Sequence, residues 1–192
     1  MLLVICYRLI VIRFAKRYVN LSGRSLLTIN QSTINYIHKN MANEINRILK
    51  LFADLQHGDC WIGNNFKETL HGIDAAMAIK TVSEDTNSIW RLVAHITYWR
   101  TTVVNRLTGT NNPPPFQDFL LPDDLNQENW KQALLDFEAA YHSLRNAIQH
   151  LPQDHLDKPS PREGQTFYEL ILGCLQHDAY HLGQMILLKK AA

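Results

Sequence analysis

From Met41 onward the chain repeats apolar residues every three or four positions in four separate stretches, and this spacing constrains its fold most strongly. A period near 3.6 residues stripes one side of an α-helix, whereas a half-buried strand alternates with a period of two. Residues 42–56 place Ile45, Ile48, Leu49, Phe52 and Leu55 at helical intervals, and Gly58 follows them. A glycine just past the last apolar position is a common helix stop. Residues 87–107 repeat the pattern with Ile89, Leu92, Ile96, Trp99, Val103 and Leu107, behind a candidate cap at Asn87 or Ser88. Residues 126–151 carry Trp130, Leu134, Phe137, Tyr141, Leu144 and Ile148 ahead of Pro152. The last stretch opens at Thr166, where Glu169 has capping-box spacing, and runs to about Lys190. Between the first two stretches, "NNFKETLHGIDAAMA" reads as a short helix, a break at Gly72 and a further turn capped by Asp74. No strand-like alternation or internal repeat is visible.

Four long helices with one apolar stripe each predict an all-α fold, a four-helix bundle or a near variant of it. Residues 108–124 cannot join the pattern, because Pro113, Pro114 and Pro115 force extended backbone. They form a long loop between helices two and three, of a length that suits a covering or functional loop.

Charge divides the chain near Met41. Residues 1–40 hold six Lys or Arg and no acid, whereas residues 41–192 hold 13 basic against 18 acidic residues, a balance of −5. A mildly acidic main part argues against a nucleic-acid-binding domain. The apolar start "MLLVICYRLIVI" is shorter than the ~20 residues of a membrane span and contains Arg8. Its positive charges follow the apolar run and no small-residue cleavage site is clear, so it is a poor signal peptide. An organelle transit peptide, a membrane-surface arm and an upstream extension remain open for 1–40. The favoured reading is a poorly organised basic leader over 1–40, an upstream extension, before one domain over 41–192. Cys6, Cys60 and Cys174 are odd in number and far apart, which points to a reducing, cytoplasmic setting without a disulfide framework.

One stretch violates the apolar pattern. "HDAYHLGQ", His177 to Gln184, puts two imidazoles four residues apart inside a leucine-rich helix. At ~100° per residue, Leu170, Cys174, His177, His181, Gln184, Met185 and Leu188 share one narrow face. Residues four apart have Cβ atoms roughly 5–6 Å from each other, close enough for both rings to lean toward one ion. A buried polar group without a partner costs on the order of 1–3 kcal/mol, so the pair calls for satisfied hydrogen bonds or a shared cation. His95, beside Leu92 and Trp99 on helix two, could face the pair across the bundle. Three imidazoles leave coordination positions open, as catalytic sites do, and nitrogen ligands suit Zn, Ni, Cu or Fe alike.

The other histidines are weaker candidates. His38 lies in the leader, and His57, His142, His150 and His155 fall at helix ends, on solvated faces or in loops. His71 ends a short helix near the expected bundle mouth and could be an extra ligand or proton carrier. Cys174 could close the site with sulfur, but a small core residue is its simpler role. By angular position Asp178 and Tyr180 point off the metal face. Asp178 is thus read as a carboxylate behind a ligand or on the surface, not as a general base. Gly183 and Gln184 are read as a close-packing position and a polar contact beside the site.

"SIWRLVAHITYWR" followed by "TFYELILGCLQHDAYHLGQMILLKK" resembles the DinB/YfiT-like superfamily of four-helix-bundle metalloproteins, over roughly 42–190. The resemblance implies divalent-metal ligation by His95, His177 and His181, and a homodimer. It also implies one of two roles. The first is a metal-dependent transferase using a low-molecular-weight thiol, or a hydrolase, acting on a small-molecule substrate. The second is a non-catalytic metal-binding or stress-related bundle. No Walker loop, dinucleotide fingerprint or GxSxG elbow competes with this reading.

Overall fold

A computed structural model of the protein describes the backbone of residues 31–191 and the side chains of residues 44–191. The chain divides into two compact units, Met1–Asn43 and Glu44–Ala192, and the second contains all the side chains discussed below. Among the described residues there are six α-helices and no named strand: α1 (Gln31–His57), α2 (Phe66–Leu70), α3 (Ala75–Ala78), α4 (Ile89–Leu107), α5 (Gln127–His150) and α6 (Phe167–Ala191). The helix expected over 42–56 lies inside the longer α1, which runs back to Gln31 through the end of the segment read as a poorly organised leader. Residues 1–30, where most of that leader falls, lie outside the described residues, as does the His38 side chain. No described helix is long and apolar enough to cross a membrane.

Helix starts follow local chemistry. Asn65, Asp74, Ser88 and Asn126 each accept a hydrogen bond from the backbone N–H three residues on, satisfying a donor the helix cannot use. Thr166 and Glu169 form the expected reciprocal box: the Thr166 N–H donates to Glu169 Oε2 at 2.7 Å and the Glu169 N–H to Thr166 Oγ1 at 3.2 Å. Gly109, just beyond α4, has φ of 91°, a left-handed backbone that glycine adopts without a Cβ penalty. It turns the chain into the helix-free connection 108–126.

Two apolar clusters hold the bundle together. In one, Ile48, Phe52, Val103, Tyr141, Leu144, Ile148, Leu170 and Ile171 bring α1, α4, α5 and α6 into contact. In the other, Phe66, Ile89, Trp90, Ile96, Trp130, Leu182 and Met185 pack the short helices α2 and α3 against α4, α5 and α6. Each fully buried Leu, Ile or Phe side chain contributes roughly 1.5–3 kcal/mol. The buried Trp130 indole N–H donates to the Ile73 carbonyl at 2.8 Å, so its one polar atom is satisfied.

A charge lies between these apolar groups. Arg100 of α4 is 1% exposed, with its guanidinium carbon 4.4 Å from the Phe137 ring centroid and 5.7 Å from that of Tyr141. Its Nε–H donates to Asp178 Oδ2 at 2.9 Å and its Nη2–H to Gln56 Oε1 at 2.9 Å. Gln56 in turn donates to Glu138 Oε2 at 2.7 Å. The network ties α1, α4, α5 and α6, and its α6 member, Asp178, is the residue that follows His177.

Candidate metal centre

His95 lies in the middle of α4, and His177 and His181 lie one turn apart on α6. The packing of α4 against α6 brings the three rings together. Centroids are 4.9 Å apart for His95 and His177, 4.7 Å for His95 and His181, and 4.4 Å for His177 and His181. One ring nitrogen from each lies within 4.8 Å of the others, an arrangement that could hold a metal ion. Among the described residues no other group of His, Cys, Asp and Glu side chains does so. The three positions picked out in the sequence are therefore the three that converge. His95 and His181 are buried, and His177 is half-buried.

Two of the rings have fixed orientations. His95 Nδ1–H donates to Asp118 Oδ1 at 2.7 Å, which leaves the Nε2 lone pair toward the cluster. The ring also stacks on Phe119, with centroids 3.9 Å apart and planes 13° apart. Phe119 is the one described non-glycine residue with positive φ, at 55°. Left-handed backbone is costly for a bulky residue, and here it accompanies the placement of ring and carboxylate on the same imidazole. His181 Nδ1–H donates to Gln184 Oε1 at 2.7 Å, and the Gln184 amide donates to the Tyr180 hydroxyl at 3.0 Å. Metal-ligating histidines almost always engage their second nitrogen in this way.

His177 differs. Its Nε2 lies 3.0 Å from His95 Nε2, while its buried Nδ1 has no hydrogen-bond partner. Two imidazole nitrogens this close need either a proton or a cation between their lone pairs. Three ring nitrogens within 4.8 Å of one another, with two rings anchored from behind, fit a divalent ion. Burial lowers the pKa of both His95 and His181, against the opposing effects of Asp118 and Gln184. Each ring therefore favours the neutral form that ligation requires.

The remaining candidates fall elsewhere. His71 and Cys174 are not members of the cluster. Cys174 belongs to the apolar core, where burial pushes its thiol pKa well above the ordinary value. His142 is exposed beside Glu138, and His150 Nδ1–H donates to the Asn146 carbonyl at 2.8 Å. Asp178 is 0% exposed, which removes the surface reading of that carboxylate and leaves it behind His177. Gln184 makes the expected polar contact. The close-packing role expected of Gly183 is not found, since a Cβ added there would meet nothing within 4 Å. Asp118 and Arg100 were not legible as site residues. The position of Asp118 within the Pro-rich loop is the only sequence signal that could have suggested it.

Fold and site together define a helical bundle with a three-histidine candidate metal site between two of its long helices. A family model described as the DinB superfamily matches residues 41–185. The chain belongs to the DinB superfamily. Comparisons with curated proteins and with solved structures found no match.

Proposed function

We propose that the protein binds a divalent metal through His95, His177 and His181 and uses it as a metal-dependent transferase with a low-molecular-weight thiol, or as a hydrolase, on a small-molecule substrate. The observation that carries this reading is the convergence of three imidazole nitrogens within 4.8 Å. No carboxylate or thiol joins the cluster among the described residues, so positions for water, thiol or substrate stay free. A bound divalent ion lowers the pKa of a thiol or water ligated to it and supplies a nucleophile at neutral pH.

The chain's own residues do the rest. Asp118 and Gln184 hold the His95 and His181 rings with Nε2 toward the centre. Trp99, 6.0 Å from His177 and 6.3 Å from His95 between ring centroids, and Phe119 present aromatic surface beside the imidazoles. Such surface limits water near the site and suits an apolar portion of a substrate. Nitrogen ligands accommodate Zn, Ni or Fe, and the donor set does not choose among them. The proposal includes a homodimer in the cytoplasm and a leader over 1–40 that is no part of the chemistry.

Elemental analysis of protein purified without added metal, followed by assay of thiol transfer to small electrophiles, tests the reading. Stoichiometric metal that is lost in His95→Ala, His177→Ala and His181→Ala supports it. Metal retained in all three variants refutes it. Chelation separates catalysis from support of the fold: a catalytic ion leaves a folded apoprotein, whereas an ion that only stabilises the bundle takes helicity with it.

A further inference from the structure

Two buried, unpartnered polar atoms lie next to each other at His177 and Asp178. His177 Nδ1 has no hydrogen-bond partner, and neither does Asp178 Oδ1. The two are 3.8 Å apart, beyond hydrogen-bond range but adjacent, and nothing closer satisfies either. The other carboxylate oxygen, Asp178 Oδ2, accepts from Arg100 Nε–H at 2.9 Å. Arg100 is itself held by Gln56 and by the Phe137 carbonyl, at 2.9 and 3.4 Å.

The proton inventory gives this arrangement a direction. His95 Nε2 carries a lone pair, because its Nδ1–H is committed to Asp118. Without a cation, His177 satisfies that lone pair by keeping its proton on Nε2, which faces His95 Nε2 at 3.0 Å. The Nδ1 atom is then bare, in keeping with its lack of a partner. A cation gripped by Nε2 displaces that proton. A neutral ring must then carry its one N–H at Nδ1, in a spot closed to water. The nearest acceptor is Asp178 Oδ1, at 3.8 Å.

Resting on the metal-binding reading above, we propose that Asp178, braced by Arg100, is the positioning residue for His177: metal binding moves the His177 proton from Nε2 to Nδ1, where Asp178 Oδ1 accepts it. The ring is neutral before and after, with one N–H in each state. Each of the three ligands then has an acceptor behind it: Asp118 for His95, Asp178 for His177 and Gln184 for His181. Because Arg100 also reaches Gln56, the core ion pair aims a metal ligand as well as joining helices.

The full-length protein, labelled with ¹⁵N, is titrated with Zn²⁺ while the histidine ring nitrogens are followed by NMR. His177 is expected as the Nε2–H tautomer without metal. With Zn²⁺ it is expected as the Nδ1–H tautomer, its proton downfield and slow to exchange. Asp178→Asn turns the acceptor into an amide whose N–H₂ faces Nδ1 while its oxygen keeps Arg100. It is expected to weaken Zn²⁺ binding about 10–100-fold, as loss of such partners typically does. It should also abolish the slow Nδ1 proton while leaving those of His95 and His181 in place. The wild-type tautomer readout stands alone should that variant misfold. Zn²⁺ bound through His177 Nδ1, a His177 Nδ1–H in fast exchange, or wild-type affinity in a folded Asp178→Asn protein overturns the proposal while metal binding survives. Absence of any Zn²⁺ binding by the wild type overturns both.

Discussion

Asp118 Oδ1 accepts the His95 Nδ1–H at 2.7 Å from within a loop whose residue 119 has left-handed backbone. The same carboxylate oxygen accepts the Phe119 backbone N–H at 2.9 Å. Loop shape and ligand orientation are thus set by one side chain. Asp118→Ala is expected to lower metal affinity about 10–100-fold and leave the helices in place. Competition with a chromophoric chelator measures the first effect and circular dichroism the second. Unchanged affinity would show that the loop does not orient His95.

Gln184 performs the matching task for His181, within one helical turn. Gln184→Leu removes the acceptor at 2.7 Å and the link to Tyr180, so a metal-affinity loss of the same order is expected. Gln184→Glu retains an acceptor and is expected to retain most of the affinity. Equal losses in both variants, read by the same competition assay, would argue against the hydrogen bond as the cause.

Acid should act through His95 and His181. Both have folded-state pKa values below the ordinary histidine value of about 6.5, chiefly because burial disfavours the charged ring. A depressed histidine pKa means that the unfolded chain binds more protons than the folded one as pH falls below about 6.5. The stability contributed by the neutral rings is therefore complete above that pH and is lost as pH falls through the folded values. Metal affinity should fall over the same interval, since protonated imidazole cannot ligate. Urea unfolding of the apoprotein at pH 7.5 and pH 5 checks the first expectation, and metal retention across that range checks the second. A midpoint that rises on acidification would contradict the sign.

Arg100 and Asp178 are 1% and 0% exposed, so neither charge can recover solvation when its partner is lost. Arg100→Met is expected to destabilise the fold by about 3–5 kcal/mol, because it strands a buried carboxylate. Arg100→Met combined with Asp178→Leu should recover much of that loss, since an apolar pair of similar size removes both desolvation penalties. Denaturant unfolding of the two variants decides the matter. A double variant no more stable than the single one would mean that the guanidinium's contacts with Phe137 and Tyr141 carry the effect.

Most helix limits were legible because their causes are local. The apolar period places α4, α5 and α6 to within a residue or two. The caps at Asp74, Ser88 and Thr166 are chemistry between residues three apart. The part of α1 before residue 42 was not legible, because the apolar stripe that marked that helix begins only at Ile45. His177 and His181 announced themselves for a similar reason: a one-turn spacing on an apolar face follows from helix geometry alone. His95 could be suggested as a third member, but its meeting with the pair spans 82 positions and depends on how α4 packs against α6.

Burial of Asp178 and Arg100 was invisible in the chain, where each reads as an ordinary polar position on a helix. Tertiary packing decided it, because two charges 78 positions apart can leave water only when the same fold brings them to 2.9 Å. The loop carboxylate at Asp118 was settled in the same way, 23 positions from the imidazole it holds. Periodicity and caps act over a few residues, so sequence alone determines the helices and the α6 histidine pair. The support behind each ring is a relation between distant segments, and only the packed bundle creates it.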